Sequence, residues 1–467
     1  MSLWPRRSGG SLVSISEPRD RTSRQQPWIV NNEAKLGRFT LIALVIGNML
    51  GAGVFTTSGF AMGDLGSPVY VLLAWFIGGL LALCGALSYG ALSKLMPVSG
   101  GEYYFLSRSM HPLAGFIAGW ISLLAGFTGA IALAALAFEA YVMPPELKHA
   151  IPENVVATMA ILLAALAHGL HVKYGAILQN VAVALKLILI FGFVLFALLG
   201  TTIGSWEGVV AWRNTERPEF SIPAFAVTLM WVSYSYSGFN ASAYVASEVK
   251  HAARNVPRTM IHGTCIIMLV YLLLNGIFVL APAPENIAFQ GDVAALAASA
   301  LAGEALANGM RGIIVIAMFT SVSAMVMVGP RVYAQMAEDG LMPAILRFKG
   351  EVPVIAIAMQ ATLAIVIVWM TGLRELLSYL GFTLGLSTVV TVASLFIVVR
   401  RKQVEHDDLP GYPWAPITFI FFTLMFSGLA ATRNPLEMLA ALLTILSAVI
   451  LYVLFGSKHQ KLRNDSA

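Results

Sequence analysis

Gly47-Asn48-Met49-Leu50-Gly51-Ala52-Gly53-Val54-Phe55 lies inside an apolar run, and its reading decides the fold. Glycines at 47, 51 and 53 each lower helix propensity by about 1 kcal/mol against Ala. Two readings fit. Gly47 and Gly51 form a GxxxG pair, which lets two membrane helices approach closely. Alternatively the segment is unwound, and its free backbone N–H and C=O groups bind a solute. A second stretch, Tyr234-Ser235-Tyr236-Ser237-Gly238-Phe239-Asn240-Ala241-Ser242, favours the unwound reading. It is too polar for a lipid-facing span, and it falls five spans after the first, so it runs in the opposite direction. Interrupted segments at matching positions of two inverted halves point to a transport site near the membrane midplane. Half-helix N-termini offer N–H groups and a positive dipole end to a carboxylate, and half-helix C-termini offer carbonyls to an ammonium group. A zwitterionic α-amino acid carries both charges.

Outside these stretches, composition sets the class. Of 467 residues, 58% are hydrophobic and 11% charged, against about 25% charged in soluble domains. That excludes an ordinary soluble enzyme, a nucleic-acid binder and a disordered chain. The expected fold is an all-α polytopic membrane protein. A bilayer core needs about 20 apolar residues as helix, and twelve such spans are drawn at 39–61, 69–95, 113–142, 155–171, 176–201, 222–247, 259–282, 311–335, 353–371, 376–399, 415–432 and 435–456. Barrel strands would alternate over about ten residues; these runs are longer and apolar all round. Asp292 to Asn308 reads as a short extracellular helix. Cys84 and Cys265 both lie in apolar runs, which argues against a disulfide framework.

The basic residues fix orientation. Of 29 Lys and Arg residues, six (Lys148, Arg213, Arg217, Arg311, Arg374 and Arg433) fall in segments on one side. Lys186 is left within the membrane, and the other 22 fall on the opposite side. The positive-inside rule makes that side cytoplasmic and places both termini there, in a multi-pass protein of the plasma (inner) membrane. The polar, basic segment 1–36 has no apolar core after Arg6-Arg7, so it reads as a disordered cytoplasmic tail rather than a cleaved signal.

Four stretches in order resemble the amino acid–polyamine–organocation permeases. Gly47 to Phe55 resembles their G-x-x-x-G-[ST]-G-[IV]-F signature. Pro97-Val98-Ser99-Gly100-Gly101-Glu102-Tyr103-Tyr104 is similar to their P-x-[SA]-G-G-x-Y. Tyr236 to Asn240, with Ser247-Glu248-Val249-Lys250 and Arg254-Asn255-Val256-Pro257 following, resembles their sixth span and the loop after it. Arg331-Val332-Tyr333 with Glu338-Asp339-Gly340-Leu341-Met342-Pro343 resembles R-x-x-Y-A-x-A-R-D-G-x-x-P. The resemblance covers about 40 to 400 and implies a five-plus-five inverted repeat (LeuT-type) with spans 1 and 6 broken. Residues 37–201 would form the first repeat, 202–402 the inverted second, and 403–467 two peripheral spans with the C-terminus. It also implies that the substrate carboxylate lies near the amides of Gly51, Ala52 and Gly53, and the ammonium near carbonyls from Tyr234 to Ser237. Tyr234 would lid the substrate, and Tyr103 would stand at a cytoplasmic gate. Asn48, Met49, Ser237, Gly238 and Asn240 flank the breaks and complete the candidate substrate site, Met49 and Phe239 as packing. Two departures matter. Ala52 replaces a common Ser or Thr, leaving backbone amides alone. Asn240 replaces a carboxylate of acid-resistance arginine antiporters, which weakens the case for a dicationic substrate.

Lys186, in Val183-Ala184-Leu185-Lys186-Leu187-Ile188-Leu189, lies roughly 16 to 21 Å from either end of its span, too far to snorkel comfortably. A central Lys costs about 2.5–3.5 kcal/mol on the lenient insertion scale. It is either a structural brace satisfied by carbonyls or, as the resemblance implies, a stand-in for the sodium ion of sodium-coupled relatives, linked to proton-coupled or exchange transport. Burial penalises its ammonium and carbonyls of an unwound span 1 stabilise it, so a switch that changes their separation changes its proton affinity. Coupling to protons is favoured over sodium. Thr320, Ser321 and Ser323 are the alternative sodium donors, but such hydroxyls more often bond their own backbone. Glu139 reads as a rim residue, and His168, His171 and His262 as interfacial.

The sequence has no H-E-x-x-H, G-x-S-x-G, complete G-x-G-x-x-G or P-loop, so an enzyme is not expected and no cofactor or metal is called for. A channel would want rings of pore-lining polar groups. The reading is a secondary active transporter of amino acids working by alternating access, neutral amino acids and proton coupling being favoured. The alternatives are an obligatory exchanger, a cationic amino acid or polyamine carrier, and a sensor without flux.

Overall fold

The computed structural model describes residues 36–143, 151–170, 175–214, 218–338, 342–347, 353–405 and 408–456. The tail through residue 35, Lys148, His171, Lys173, Arg217, Asp339-Gly340-Leu341, Lys349 and the basic C-terminus from Lys458 lie outside them. The described chain is helical, with one isolated parallel bridge, Leu36 to Val249.

With the helices numbered by the spans drawn from the sequence, span 1 corresponds to two helices, α1 (Arg38–Met49) and α2 (Ala52–Leu65). Span 2 is α3 (Pro68–Leu95), followed by a short α4 (Gly101–Ser109). Span 3 is one continuous run of α5 (Pro112–Ile121), a π-helical stretch Ser122–Gly129, and α6 (Ala130–Val142). Spans 4 and 5 are α7 (Val155–Leu170) and α8 (Gly175–Gly200), with α9 (Glu207–Asn214) after them. Span 6 begins as α10 (Ile222–Ser235), and span 7 is α11 (Ala252–Leu280). After α12 (Pro284–Ile287), α13 (Val293–Glu338) carries a kink at Ala302 and Gly303, whose non-helical dihedrals set a first piece apart from span 8. Spans 9 to 12 are α14 (Val354–Met370), α15 (Leu373–Lys402), α16 (Trp414–Ala431) and α17 (Pro435–Leu451).

Most boundaries fall within a few residues of the apolar runs, because a span ends where the chain meets Pro, Gly or charge. Three differ. The helix expected over Asp292–Asn308 breaks at Ala302–Gly303, so its last residues belong to span 8. Span 7 starts seven residues early, since Arg254-Asn255-Val256-Pro257-Arg258 is polar yet helical. Span 6 was expected to break within Tyr234–Ser242 and run on to residue 247; its α-helix stops at Ser235, inside that stretch, but no α-helix resumes, and the chain beyond forms only 3-10 turns at Ala241–Ala243 and Ala246–Glu248.

Among the described residues, eight helices are long and apolar enough to cross a membrane. Four shorter apolar ones, Val155–His168, Ala184–Gly200, Ile222–Ser235 and Val354–Met370, accompany them. This is an integral, multi-pass membrane architecture. The window of Pro112–Val142 is 72% buried and that of Pro435–Leu454 only 17%, which puts span 3 at the centre and α17 at the rim. Leu439, Leu442, Leu443, Leu446 and Ile450 of α17 are exposed, a row suited to lipid.

Candidate solute site at two helix breaks

Helix α1 ends where Leu50 leaves helical geometry (φ -73°, ψ 72°) and Gly51 becomes extended (φ -110°, ψ -164°). The opening stretch is therefore interrupted between Met49 and Ala52. The Gly51 N–H donates to Met49 O at 2.8 Å. No side chain caps the first turn of α2, so the amides of Ala52, Gly53 and Val54 have no acceptor within the helix and mark its positive dipole end.

The second break packs directly on the first. Gly53 lies so close to α10 that a Cβ there would stand 2.3 Å from Ser235 Oγ and 3.0 Å from Ser235 Cα. Thr57 Oγ1 is 3.2 Å from the same Ser235 hydroxyl. Past Ser235, Gly238 takes φ +102°, open to glycine, and a Cβ on it would lie 3.1 Å from the Asn48 carbonyl. The Tyr271 hydroxyl of α11 lies against Met49 O and against Ser235 O at 3.0 Å, sharing its one proton between the two broken helices. From α8, Lys186, 5% exposed, donates from Nζ to Leu50 O at 2.6 Å. A buried carbonyl at the break thus receives a charge-assisted hydrogen bond, stronger than a neutral one.

Side-chain networks hold α2 in place. Trp75 Nε1 donates to Ser58 Oγ at 2.9 Å, and Ser58 Oγ donates to Asn275 Oδ1 at 2.6 Å. The Tyr141 hydroxyl of α6 donates to Phe55 O at 2.7 Å. At the far end of α2, Arg374 Nη2 of α15 reaches both Asp64 carboxylate oxygens at 2.7 Å. Its guanidinium also lies 5.4 Å from the Trp231 ring and 5.6 Å from the Phe289 ring.

The remaining expected site residues are less uniformly placed. Met49 and Ala52 are buried at the break. Asn48 donates its amide to Leu44 O of its own helix at 2.9 Å. Tyr234 and Ser237 line a cavity of about 50 Å³ between α3, α10, α15 and α16, together with Tyr236, Phe239 and Thr388. That volume holds a water or two, so an amino acid requires the helices to part. A larger open cleft, about 520 Å³ between Pro97 and Arg254, lies away from the breaks. The Asn240 amide donates to Glu102. Tyr103 is 37% exposed on α4, with its ring near Gly119.

Residues 36–455 match the family model described as Amino acid permease. The chain belongs to that family. It is 25% identical to the human Large neutral amino acids transporter small subunit 2, over 84% of this chain and 75% of the relative. It is 24% identical to the Serine/threonine exchanger SteT of Bacillus subtilis (strain 168), over 91% of this chain and 97% of the relative. Against the human b(0,+)-type amino acid transporter 1 the identity is 24%, over 92% and 90%. This permease is therefore an amino acid transporter and not an enzyme.

Several buried contacts of the permease were not anticipated from its sequence. Tyr271 and Asn275 gave the clearest available signal, polar groups inside an apolar run, where they face protein rather than lipid. His168 was expected at an interface but is 7% exposed and hydrogen-bonded to Ser323 at 2.7 Å. Thr320 and Ser321 donate to carbonyls of their own helix, whereas Ser323 meets that histidine. Glu139 accepts from Asn154 N and Ala157 N, both at 2.8 Å, and so caps the start of α7.

The Gly53 contact yields a prediction. Gly53→Ala forces a methyl group against Ser235, an overpacking strain of about 1–3 kcal/mol. The initial rate of amino acid uptake in proteoliposomes is expected to fall roughly tenfold or more. Adding Ser235→Ala, which removes the nearest clashing atom, should recover part of the loss. Wild-type uptake by the single variant would mean the two breaks need not touch.

Proposed function

We propose that this permease moves neutral α-amino acids by alternating access around the two breaks, with Lys186 as the coupling residue. The observation that carries the reading is the convergence on one point of the uncapped α2 amides, the Lys186–Leu50 bond and the Ser235 end of α10. A substrate carboxylate is met by the amides of Ala52, Gly53 and Val54, and its ammonium by carbonyls at the end of α10. Twelve spans in a five-plus-five inverted repeat fit the eight long and four shorter apolar helices. The distribution of basic residues supports cytoplasmic termini in a plasma membrane. On that orientation the Asp64–Arg374 pair lies at the outer end, and α4 with the segment after α10 lies at the inner end.

Neutral substrates are favoured by the state of the buried carboxylates. Asp64 is paired with Arg374, and Glu102 is hydrogen-bonded by Tyr89, Asn240 and Tyr244. Neither is open to a cationic substrate side chain. Exchange is a second reading, favoured by the relative named a serine/threonine exchanger.

The test is an uptake screen of the twenty amino acids and common polyamines in proteoliposomes, with and without an inward proton gradient. Saturable uptake of neutral amino acids, raised by the gradient, is expected. Uptake only into vesicles preloaded with substrate, indifferent to the gradient, would replace proton coupling by exchange. Preference for arginine or polyamines would overturn the substrate class, and binding without flux would make the protein a sensor.

A further inference from the structure

Glu102 lies in the first turn of α4 and is buried, at 8% exposure. Three groups donate to its carboxylate: the Tyr89 hydroxyl of α3 at 3.0 Å and the Asn240 amide, both to Oε1, and the Tyr244 hydroxyl to Oε2. All three donors are neutral. A carboxylate offers only acceptors, so it suits three converging donors; Gln would turn an NH2 group against one of them.

The surroundings make this a grip rather than an isolated contact. Ser99 and Ser247 exchange two hydrogen bonds, Ser99 N to Ser247 Oγ at 3.0 Å and Ser247 N to Ser99 Oγ at 2.9 Å. A Cβ on Gly101, which has φ +53°, would stand 2.5 Å from the Tyr244 ring, so α4 lies flush on that ring. The gripped segment, from Tyr236 to Lys250, contains no α-helix, only short turns. Without a continuous helical ladder, its position depends on ties to its neighbours. The same segment holds the start of α1, through Leu36 N to Glu248 O at 2.9 Å. Arg38 Nε adds a bond to Asn255 Oδ1 of α11 at 2.7 Å.

We propose that Glu102 is a positioning residue of the transport cycle, whose carboxylate clamps the second half of span 6 against α3 and α4, and that release of this clamp opens the substrate path on the inner side. The inference rests on the alternating-access reading of the two breaks. Glu102 touches no substrate; it sets how often the inner half of span 6 is shut. Removing one of its hydrogen bonds shifts that equilibrium by about threefold, and removing its charge by about tenfold.

The test reads accessibility from each side. The reporter is Ser237→Cys in full-length protein in proteoliposomes, with Cys84→Ala and Cys265→Ala to remove the native thiols. A membrane-impermeant maleimide is applied to one face at a time. Glu102→Gln is expected to raise the labelling rate from the inner side about tenfold and to leave labelling from the outer side unchanged or lower. Tyr244→Phe, which keeps the ring on Gly101 and removes one donor, should shift it in the same direction by about threefold, and it serves if Glu102→Gln does not fold. Glu102→Asp, which keeps the charge, should fall between Glu102→Gln and the reporter protein. No change in the inner-side rate, or an equal rise from both sides, overturns the clamp. Protection of the reporter by substrate, tested with each of the twenty amino acids, checks the underlying reading separately. Absence of protection from either side sinks alternating access at this site, whereas protection without a Glu102 effect sinks only the clamp.

Discussion

Lys186→Met is expected to abolish proton-driven accumulation of amino acid in proteoliposomes. The Lys186 ammonium donates to Leu50 O at 2.6 Å, at the residue where α1 ends. Methionine keeps an unbranched apolar stem, one atom shorter, but leaves that buried carbonyl without its donor, a cost of about 1–3 kcal/mol. It also removes a protonatable group that touches the break. The proposed coupling requires both functions, so initial rates should fall roughly tenfold to a hundredfold, and the remaining flux should ignore the proton gradient. Lys186→Arg separates the two functions, because a guanidinium stays charged and is larger than an ammonium. It should keep part of the exchange activity and lose the response to pH. If Lys186→Met accumulates amino acid as the wild type does, Lys186 is a brace and coupling lies elsewhere.

Arg374→Ala is expected to trap the protein open to the outside. Its guanidinium reaches both oxygens of Asp64, whose side chain is 5% exposed, and it ties α15 to α2 beside Trp231 and Phe289. Removing the arginine leaves a buried carboxylate unpaired whenever the outer side closes. The expected cost is about 3 kcal/mol, the low end for a broken buried pair. Arg374 is itself 37% exposed, and water screens part of the attraction. A shift of that size moves the equilibrium on the order of a hundredfold. In sided kinetics the outer KM should fall and turnover should drop, because closure becomes the difficult step. Adding Asp64→Asn removes the stranded charge and should restore much of the turnover. Unchanged outer KM and turnover in Arg374→Ala would show that the pair does not form part of outer closure.

The architecture was legible because lipid imposes a simple rule: a span must be apolar for about 20 residues and internally hydrogen-bonded. The glycine-rich run at 47–53 advertised the break between Met49 and Ala52, and Lys186 stood out because a lone cation in an apolar run has few inexpensive places to go. The break in span 6 was legible in the polar run at Tyr234–Ser242, but that no α-helix resumes beyond it was not, since short 3-10 turns leave no periodic signature. Glu102 sat inside a recognised motif without a role, because its donor Asn240 is 138 positions away and the pairing exists only in three dimensions. Arg374 was sorted by side but not joined to Asp64, 310 positions away. His168 illustrates a general ambiguity: near the end of a span, a histidine facing headgroups and one facing a neighbouring helix have the same sequence context.

Counterflow tests most directly whether one site between the breaks is exposed alternately to the two sides. Proteoliposomes holding wild-type protein are loaded with an unlabelled neutral amino acid, diluted into a trace of the labelled form, and sampled over time. The expected result is a transient overshoot of internal label above its equilibrium level, delayed roughly tenfold by Gly53→Ala. A label that binds to the protein without overshoot, or that rises only to equilibrium as through a pore, would contradict alternating access at the Gly53–Ser235 junction.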